Sequence, residues 1–404
     1  MDQKLKILVL EGRPKIALHS IYCLLEQKNY EVHLLSRFPK SMNKFSRLIA
    51  SYRFCDGDDK AFIEAIDEQI DKFQCDLLMP LFELDIELVL NNFDHFREKI
   101  NIIPLPSAEL YQMADHKGML AEFLQDNNIN TPETIVYYNK ETFLEQAKSM
   151  SYPALLKATQ SYGGSGISKV EKYDQLEPLL DQQSQLNRGS LILQEMIDGY
   201  DVDCNILCVN GETKAISVQK GLFAPKAYAM AEIIEIKHNQ EIVKLIQKLF
   251  QKMKWSGLAH VDLRFDRKTQ NFKIIEINPR FWGTILGSLV AGGINFPVLT
   301  VKASFQQEIK NHQSDDGYFV FFERYFKDKL KRGKDRQSRK LQLSDTDFKW
   351  FIRDPLPRIM GHVYFQMDNI KKKIGGKRLN QKPAVSKLTV KRSIKQKDQA
   401  VEIG

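Results

Sequence analysis

Two neighbouring segments near residue 270 restrict the fold of this chain more than any other feature. Residues 257–265 and 272–280 each alternate apolar and polar side chains with a period of two, the pattern of strands that bury one face. As antiparallel neighbours joined by a short loop, they place Asp262 opposite Glu276, with Asn278 on the same face. Two carboxylates and an amide oxygen suit Mg²⁺ that is shared with phosphate groups. Because unpaired carboxylates are costly to bury, a metal site is favoured over a solvated sheet face.

The first hundred residues alternate strand-like and helix-like stretches, which predicts an α/β unit with a doubly wound parallel sheet. Apolar runs occupy residues 6–10, 31–35 and 76–80, and helical patterns lie between them. A dinucleotide-binding unit needs Gly-x-Gly-x-x-Gly after its first strand, and the Glu-Gly-Arg-Pro of residues 11–14 does not supply it. We therefore expect a scaffold that contributes to a substrate site.

A glycine-rich segment follows an apolar strand in the middle of the chain. The strand ends on Lys157, and Gly163, Gly164, Ser165 and Gly166 come shortly after it. Glycines let backbone N–H groups close over phosphate oxygens, and the lysine supplies positive charge. A Gly-Gly-Ser-Gly run is also typical of a plain loop, so both interpretations stay open for this segment alone.

Residues 191–201 run from an apolar strand into polar residues and a glycine turn. In a linker between two lobes, backbone groups of this kind could pair with the edge of an adenine, and an acidic side chain could hold ribose hydroxyls. An ordinary strand that ends in a turn fits the same residues equally well.

Four segments carry a family resemblance through their order along the chain: the strand with Lys157 and the glycine run up to Gly166, then residues 191–201, 257–265 and 272–280. Together they resemble the ATP-grasp superfamily, and within it the carboxylate–amine ligases and their carbamoyl-phosphate-synthase-like relatives. The resemblance extends over about residues 1–300. It implies an α/β chain with a doubly wound parallel-sheet (pre-ATP-grasp) domain at residues 1–107 and a two-lobed α+β ATP-grasp domain at residues 108–305. Lobe A would span about residues 108–190 and lobe B about 191–305; a basic C-terminal extension (306–376) and a tail (377–404) that we expect to be disordered would follow.

The resemblance also implies roles for individual residues. The positions that correspond to nucleotide-binding residues of the family are Lys117, Lys157, Gly163, Gly164, Ser165, Gly166, Gln194, Glu195, Ile197 and Asp201. The two lysines would contact the ATP phosphates, the glycine segment would cover them, and residues 194–197 would contact adenine. Asp201 stands where the family usually has a ribose-binding Glu.

The resemblance assigns a further set to the metal and the reacting groups. Asp262, Glu276 and Asn278 correspond to magnesium ligands, and Arg280 to an arginine near the transferred phosphate or the substrate carboxylate. His260 stands where some ligases carry an arginine, which leaves its role open.

The implied reaction uses ATP and Mg²⁺, with two ions expected and Mn²⁺ as an alternative. A substrate carboxylate attacks the γ-phosphorus, the acyl phosphate is attacked by an amine, and ADP and phosphate are released. Arg280, with Lys220 or Lys226, would stabilise the charge that develops at the carbonyl. The expected partners are ATP and small-molecule carboxylate and amine substrates, and a homodimer is compatible with this interpretation. An ATP-grasp kinase or a bicarbonate-activating carboxylase remains an alternative on the same fold.

Positive charge is concentrated at the C-terminal end. Residues 324–404 contain 23 Lys and Arg against 8 Asp and Glu, a balance of +15, so the remainder of the +8 chain carries −7. This predicts either an anionic partner or a solvated end. Nucleic-acid binding is disfavoured because the aromatic residues at 318–326 precede most of the charge. Residues 357–373 mix apolar and basic side chains with a spacing that we interpret as irregular, which favours packing on the body over contact with an anionic membrane surface.

Cysteine use and hydropathy predict the compartment. The five cysteines are scattered, without a Cys-x-x-Cys pair, and no run of eighteen apolar residues is present. We expect reduced thiols, no metal at Cys204 and Cys208, and a cytoplasmic protein.

Overall fold

The structure is a computed structural model of the 404-residue chain and describes residues 4–159, 166–182, 189–225, 230–330 and 341–374, with side chains up to residue 370 in the last range. The chain divides into two compact units, Met1–Gly361 and His362–Gly404. The tail expected to be disordered, residues 377–404, lies outside the described residues.

The first sheet is parallel throughout, as the alternating pattern predicted. Its strands are β1 (Leu5–Leu10), β2 (Tyr30–Ser36), β3 (Ser51–Phe54), β4 (Leu77–Pro80) and β5 (Asn101–Ile102), in the order β3-β2-β1-β4-β5. The connecting helices are α1 (Pro14–Leu24), α2 (Asp59–Phe73), α3 (Glu83–Asn91) and α4 (Phe93–Arg97), with a 3₁₀ turn at Met42–Phe45.

Helices cover both faces of this sheet. Ile7 and Val9 pack with Ile21 of α1 on one face, while Leu8 packs with Phe62 of α2 on the other. The doubly wound arrangement follows from strands that are apolar on both sides.

Two helices lead from the first sheet to the next. They are α5 (Ala108–Asp115) and α6 (Lys117–Asp126). His116 caps α6, since its Nδ1 accepts a hydrogen bond from the backbone N–H of Met119 at 3.1 Å. This break sets Lys117 at the first position of α6, where its side chain can reach the third sheet.

The second sheet is antiparallel. It contains β6 (Thr134–Val136), β7 (Ala154–Ala158), β8 (Ile167–Val170) and β9 (Leu191–Glu195), in the order β6-β9-β7-β8. Helices α7 (Lys140–Ala147) and α8 (Leu176–Asp181) and a 3₁₀ turn at Tyr173–Gln175 accompany it.

The third sheet is the largest and carries most of the predicted site. Its strands are β10 (Gly199–Val209), β11 (Glu212–Phe223), β12 (Ile233–Ile236), β13 (Gly257–Asp266), β14 (Asn271–Asn278), β15 (His312–Gln313) and β16 (Gly317–Val320). The order is β14-β13-β10-β11-β12-β16, all antiparallel, and β15 adds to β11 in parallel. The associated helices are α9 (Gln240–Lys252), α10 (Ile285–Gly292) and α11 (Phe296–Ser304).

The two faces of the third sheet have different surroundings. On one face, Ile206 and Val261 pack with Ile246 and Leu249 of α9. The other face carries the polar side chains described below. Near its far end Leu258 joins the apolar core of the first sheet.

Part of the region that was expected to be a C-terminal extension (306–376) belongs to the third sheet or packs against the first unit's other elements. β16 belongs to the third sheet, and α12 (Phe322–Leu330), a 3₁₀ turn at Leu343–Asp345, α13 (Phe348–Arg353) and α14 (Pro355–Ile374) follow. Asp354 accepts hydrogen bonds from the Ser46 hydroxyl at 2.5 Å and the Arg47 backbone at 3.1 Å, and Trp350 donates to Glu26 at 3.1 Å. These contacts attach α13 to the first sheet's side of the molecule.

Several apolar side chains of α14 are exposed, namely Ile359, Val363, Phe365, Met367 and Ile370. All of these except Phe365 recur at helical intervals on one side of α14, so the spacing is less irregular than the sequence interpretation assumed. Packing of residues 357–373 on the body stays a prediction.

Membrane-spanning potential is confined to one pair of helices. Within the described ranges no single helix has the length and apolarity to cross a membrane, and α10 with α11, bent by 104°, satisfies the criteria only as a pair.

Candidate ATP-grasp site

The predicted pairing of Asp262 with Glu276 is present, and a β-bulge makes it possible. Leu263 pairs with Ile274, but the next pair is Asp262 with Glu276, which leaves Ile275 as an extra residue. Before the bulge Ile274 faces the apolar core, and after it Ile277 does. Without the extra residue, alternation would direct Glu276 to the core. The bulge therefore turns Glu276 and Asn278 onto the polar face.

The predicted metal ligands sit among oppositely charged side chains. Glu276 accepts a hydrogen bond from the Lys117 ammonium at 3.0 Å, and the Asn278 carbonyl accepts one from the Arg280 guanidinium at 2.8 Å. Asp262 lies on the adjacent strand, in register with Glu276. Three oxygen donors thus share one face beside two cationic groups.

Arg280 is held from outside the third sheet. Its Nε lies 2.6 Å from a carboxylate oxygen of Glu83, which is buried at the start of α3. Its guanidinium also covers the Phe82 ring, 4.7 Å from the centroid. The first sheet's side of the molecule therefore fixes the arginine that the sequence placed near the reacting groups.

Carboxylates crowd this part of the molecule. Burial, with the charge of Asp262, raises the pKa of Glu276, although Lys117 opposes the rise. Burial and the charge of Glu83 raise the pKa of Asp115 to about 7. Burial is the main cause of both shifts, and a divalent cation beside Glu276 would favour its charged form. The donor set therefore fits magnesium.

A chain of hydrogen-bonded side chains leads to His260 on the same face. The Asp203 carboxylate accepts from the Gln219 side-chain amide at 3.1 Å, and the Gln219 carbonyl accepts from the Asn205 amide at 3.2 Å. The Asn205 carbonyl lies 2.6 Å from Nδ1 of His260. Because a carboxylate can only accept, each amide is oriented in turn, and Nδ1 must carry a proton.

The remaining nitrogen of His260 faces carboxylates. Nε2 lies 3.2 Å from Asp262, and one ligand atom each of Asp203, His260 and Asp262 fall within 4.8 Å of one another. Burial lowers the pKa of His260, but the hydrogen bond and charge of Asp262 and the charge of Asp203 outweigh it, so the pKa is raised. The Trp282 ring stacks on the imidazole with centroids 6.0 Å apart. Asp203 was missed in the sequence, although its alternation with Asp201 on one strand would have revealed it.

Lys157 occupies the second sheet. Its ammonium is buried and donates to the Gln194 side-chain carbonyl at 2.6 Å, while the Gln194 amide donates to the Thr134 hydroxyl at 3.0 Å. Burial lowers the pKa of Lys157 to about 8, with Lys117 contributing to the drop and Glu276 opposing it. The two predicted phosphate-binding lysines therefore lie close enough to affect each other.

The segment after β9 is held by two residues that sequence reasoning did not name. Lys273 binds Glu195 at 2.8 Å, and Arg264 donates from Nε to the Ile197 carbonyl at 2.9 Å while its guanidinium pairs with Asp201. Arg264 follows Asp262 by two residues on β13, so strand alternation was the signal that could have found it.

Some predicted site residues are not brought to this face. Lys220 follows Gln219 on β11 and points to the opposite side, where its ammonium lies 4.4 Å from the Tyr200 ring centroid. Alternation along the strand explains the difference, since Gln219 takes the inward position. Gly166 is present in a left-handed conformation (φ +76°) after the loop. Gly163, Gly164, Ser165 and Lys226 lie outside the described residues.

Comparison with known proteins gives this arrangement a family. Residues 114–284 match the family model of the ATP-grasp domain, a range that contains the predicted residues from Lys117 to Arg280. This part of the chain is thus similar to ATP-grasp domains, as the sequence resemblance implied.

Two characterised relatives extend the comparison. The chain is 23% identical over 216 residues to the carbamoyl phosphate synthase large chain of Thermotoga petrophila, a match that covers 51% of this chain and 19% of that protein. It is 22% identical over 178 residues to the alpha-aminoadipate–LysW ligase LysX of Saccharolobus solfataricus, covering 42% of this chain and 64% of the ligase. The chain thus matches about a fifth of the first relative's length and under two thirds of the second's.

A solved structure shows the same fold over a longer span. The biotin carboxylase domain of the Hydrogenobacter thermophilus 2-oxoglutarate carboxylase, a dimer solved with MgADP, ADP and bicarbonate, superimposes with a TM-score of 0.62 at 15% identity. The match covers 79% of this chain and 73% of that domain, so the fold likeness reaches beyond residues 114–284.

Proposed function

We propose that this protein is an ATP- and Mg²⁺-dependent ligase that activates a substrate carboxylate as an acyl phosphate and couples it to an amine. The observation that carries the proposal is the polar face of β13 and β14, where Asp262, Glu276 and Asn278 lie beside Lys117 and Arg280. The similarity to a carbamoyl phosphate synthase and to an alpha-aminoadipate–LysW ligase supports it.

The metal would be held by Asp262, Glu276 and Asn278. Magnesium bound there, as two ions or with Mn²⁺ in its place, would supply the positive charge that favours attack of a carboxylate on the γ-phosphorus of ATP. In this conformation Lys117 neutralises Glu276. Nucleotide binding would give this lysine a phosphate partner as well.

The nucleotide would lie between the second and third sheets. Lys157 supplies positive charge for phosphate, and residues 194–197 supply the edge that meets adenine, with Asp201 at the ribose. Lys157 is bonded to Gln194, so a phosphate would compete for the same ammonium. Burial of this lysine makes its charge costly in the absence of an anion.

Arg280 would bind the acyl phosphate and stabilise its negative charge. Its guanidinium is oriented by Glu83 and Phe82 and lies next to Asn278. A fixed cation at this point stabilises negative charge on the phosphoryl group and on the carbonyl oxygen as the amine attacks. Lys220 has no part in this step in the observed conformation.

A second candidate function is that of a carboxylase that activates bicarbonate, and the solved biotin carboxylase domain with bicarbonate favours it over a kinase. The substrates are a small carboxylate and an amine for the ligase, and bicarbonate with an amine or another acceptor for the carboxylase. The two differ in whether ADP release depends on bicarbonate.

Product analysis tests the proposal directly. The purified full-length chain is given ATP, Mg²⁺ and pools of carboxylates and amines in buffer freed of carbon dioxide, and ADP, phosphate and the new amide are measured. Ligation gives the three products in equal amounts. A stable phosphorylated product without free phosphate would identify a kinase instead, and turnover only after bicarbonate is added would identify the carboxylase.

A further inference from the structure

The C-terminal helix α14 carries an exposed apolar stripe that the ATP-grasp site does not use. Val363, Met367 and Ile370 are exposed by 39%, 44% and 53% and are spaced by four and three residues. At 3.6 residues per turn, this spacing places them on one side of the helix. Leu356 and Ile359 continue the same side toward the start of α14 and are also exposed. Exposed aliphatic side chains in a continuous row indicate a surface that another body covers.

The opposite side of α14 is mainly polar. Asp368 and Asn369 lie there, whereas Gln366 borders the stripe, and its amide is 3.4 Å from Nε2 of His362. Phe365, exposed by 62%, is the apolar residue that departs from the stripe. The helix is therefore amphipathic, with a polar face that suits water.

The sequence that follows the stripe is strongly basic. Residues 371–404 contain eleven Lys and Arg against two acidic residues, a balance of +9. The basic positions are Lys371, Lys372, Lys373, Lys377, Arg378, Lys382, Lys387, Lys391, Arg392, Lys395 and Lys397. Such a segment is attracted to an anionic surface and is repelled by a second copy of itself.

We propose that α14 lies on the surface of an anionic lipid bilayer, with Val363, Met367 and Ile370 in the headgroup region and the basic residues bound to the lipid phosphates and carboxylates. The combination of an aliphatic stripe with adjacent positive charge is the pattern of helices that lie in the plane of a membrane. The helix does not cross the bilayer, because within the described residues no single helix is long and apolar enough. A nucleic acid would bind the charge but would leave the aliphatic row exposed.

Vesicle sedimentation with matched variants tests this surface. The full chain is mixed with phosphatidylcholine vesicles containing about a third phosphatidylserine, and with phosphatidylcholine alone, at low and high salt. We expect binding to the anionic vesicles that weakens at least about tenfold at high salt or without phosphatidylserine. Val363→Glu and Ile370→Glu should each weaken it by about tenfold or more, since a carboxylate then opposes burial of the stripe.

The control variant is Phe365→Glu, which makes the same chemical change on the opposite side of the same helix. It should retain wild-type binding within about twofold. All three variants should keep the thermal midpoint and the ATP affinity of the wild type, because these side chains are exposed and the nucleotide residues lie before residue 281.

The opposite outcomes are distinct. Absence of vesicle binding by the wild type overturns the proposal, as does an equal effect of Glu at positions 363 and 365. If Val363→Glu instead converts a dimer to a monomer in sedimentation velocity without vesicle binding, the stripe belongs to a second copy and the proposal fails. These results leave the ligase proposal unaffected, since it is tested by ADP release in the absence of lipid.

Discussion

The two faces of the third sheet are built from alternate residues of the same strands, yet they do opposite things. On β13 and β14, Val261, Leu263 and Ile277 face a dry core against α9, whereas Asp262 and Glu276 face the polar site. One strand therefore contributes to stability and to chemistry at successive residues. A substitution here should therefore affect either the free energy of unfolding or turnover, according to the face of the sheet on which its side chain lies.

The strongest way to break this separation is to delete Ile275. Removing the extra residue of the bulge restores plain alternation and sends Glu276 toward the core and Ile277 toward the site. A buried carboxylate without a partner costs several kcal/mol, so we expect loss of both cooperative unfolding and turnover. Thermal unfolding followed by circular dichroism measures it. Ile275→Ala, which keeps the residue count, is the control and should retain both.

Glu276→Gln should reduce turnover without changing the stability of the fold. Losing one carboxylate weakens the metal between the phosphates, and we expect ADP release to fall by about three powers of ten or more. The free energy of unfolding should stay within about 1 kcal/mol, since the amide keeps the shape of the side chain. Asp262→Asn should behave in the same way. Near-normal ADP release by both variants would contradict the assignment of these residues to the metal.

Ile277→Ala should have the opposite effect, lowering the stability of the fold while leaving turnover nearly unchanged. The side chain is 1% exposed in the core beneath the site, and truncation of such a residue costs about 2–5 kcal/mol. Below the new thermal midpoint, turnover per folded molecule should remain within about threefold of wild type, because Glu276 and Asn278 keep their face. Urea unfolding and ADP release on the same samples check both parts. A turnover loss comparable to that of Glu276→Gln would show that the faces are not separable.

Lys157→Met tests a side chain that combines both effects. Burial of the Lys157 charge lowers the stability of the fold, and the same charge is proposed to bind phosphate. The folded pKa of about 8 lies below the ordinary lysine value of 10.5, so the unfolded state holds the proton more tightly. The cost of burying the charge is fully present below pH 8 and disappears as pH rises to 10.5. We expect the stability of the Lys157→Met variant relative to the wild type to decline by up to about 3 kcal/mol over that range, measured by urea unfolding.

The same variant should weaken ATP binding at pH 7 by about tenfold, because one charged contact to phosphate is lost. Calorimetric titration with ATP and Mg²⁺ measures this. Lys169→Met, which removes an exposed lysine of the same sheet, is the matched control and should change neither quantity. Unchanged affinity in Lys157→Met would remove this lysine from the phosphate site.

The sequence predicted the order of elements from local periodicity, and it predicted the pairing of Asp262 with Glu276 by assuming a short loop between two regular strands. It did not predict the bulge that produces this pairing, although the adjacent Ile274 and Ile275 interrupt the alternation at that point. Lys220 was expected, with Arg280, to stabilise charge at the carbonyl, but alternation with Gln219 directs its side chain to the opposite face of the third sheet.

Other residues were missed for a different reason. Arg264 and Lys273 hold the segment after β9 through contacts with residues 63 or more positions away, such as Asp201. The contact of Arg264 with Asp201 depends on the pairing of β13 with β10, and that of Lys273 with Glu195 on how the second and third sheets meet. Local periodicity reports neither. His116 as the cap of α6 was likewise unexpected, since histidine is not among the preferred capping residues.

The anchoring of Arg280 by Glu83 and Phe82 has a consequence for redesign of this molecule. Phe82 directly precedes α3 and Glu83 begins it, at the edge of the first sheet, whereas the nucleotide residues within the described ranges lie in α6, in the second and third sheets and in the segment that joins these sheets. Substitutions in residues 81–85 can therefore change the orientation of the Arg280 side chain without changing any phosphate-binding residue. Libraries confined to these residues should alter which acyl group is accepted before they alter the use of ATP, and chimeras that exchange the first sheet should carry Glu83 with it.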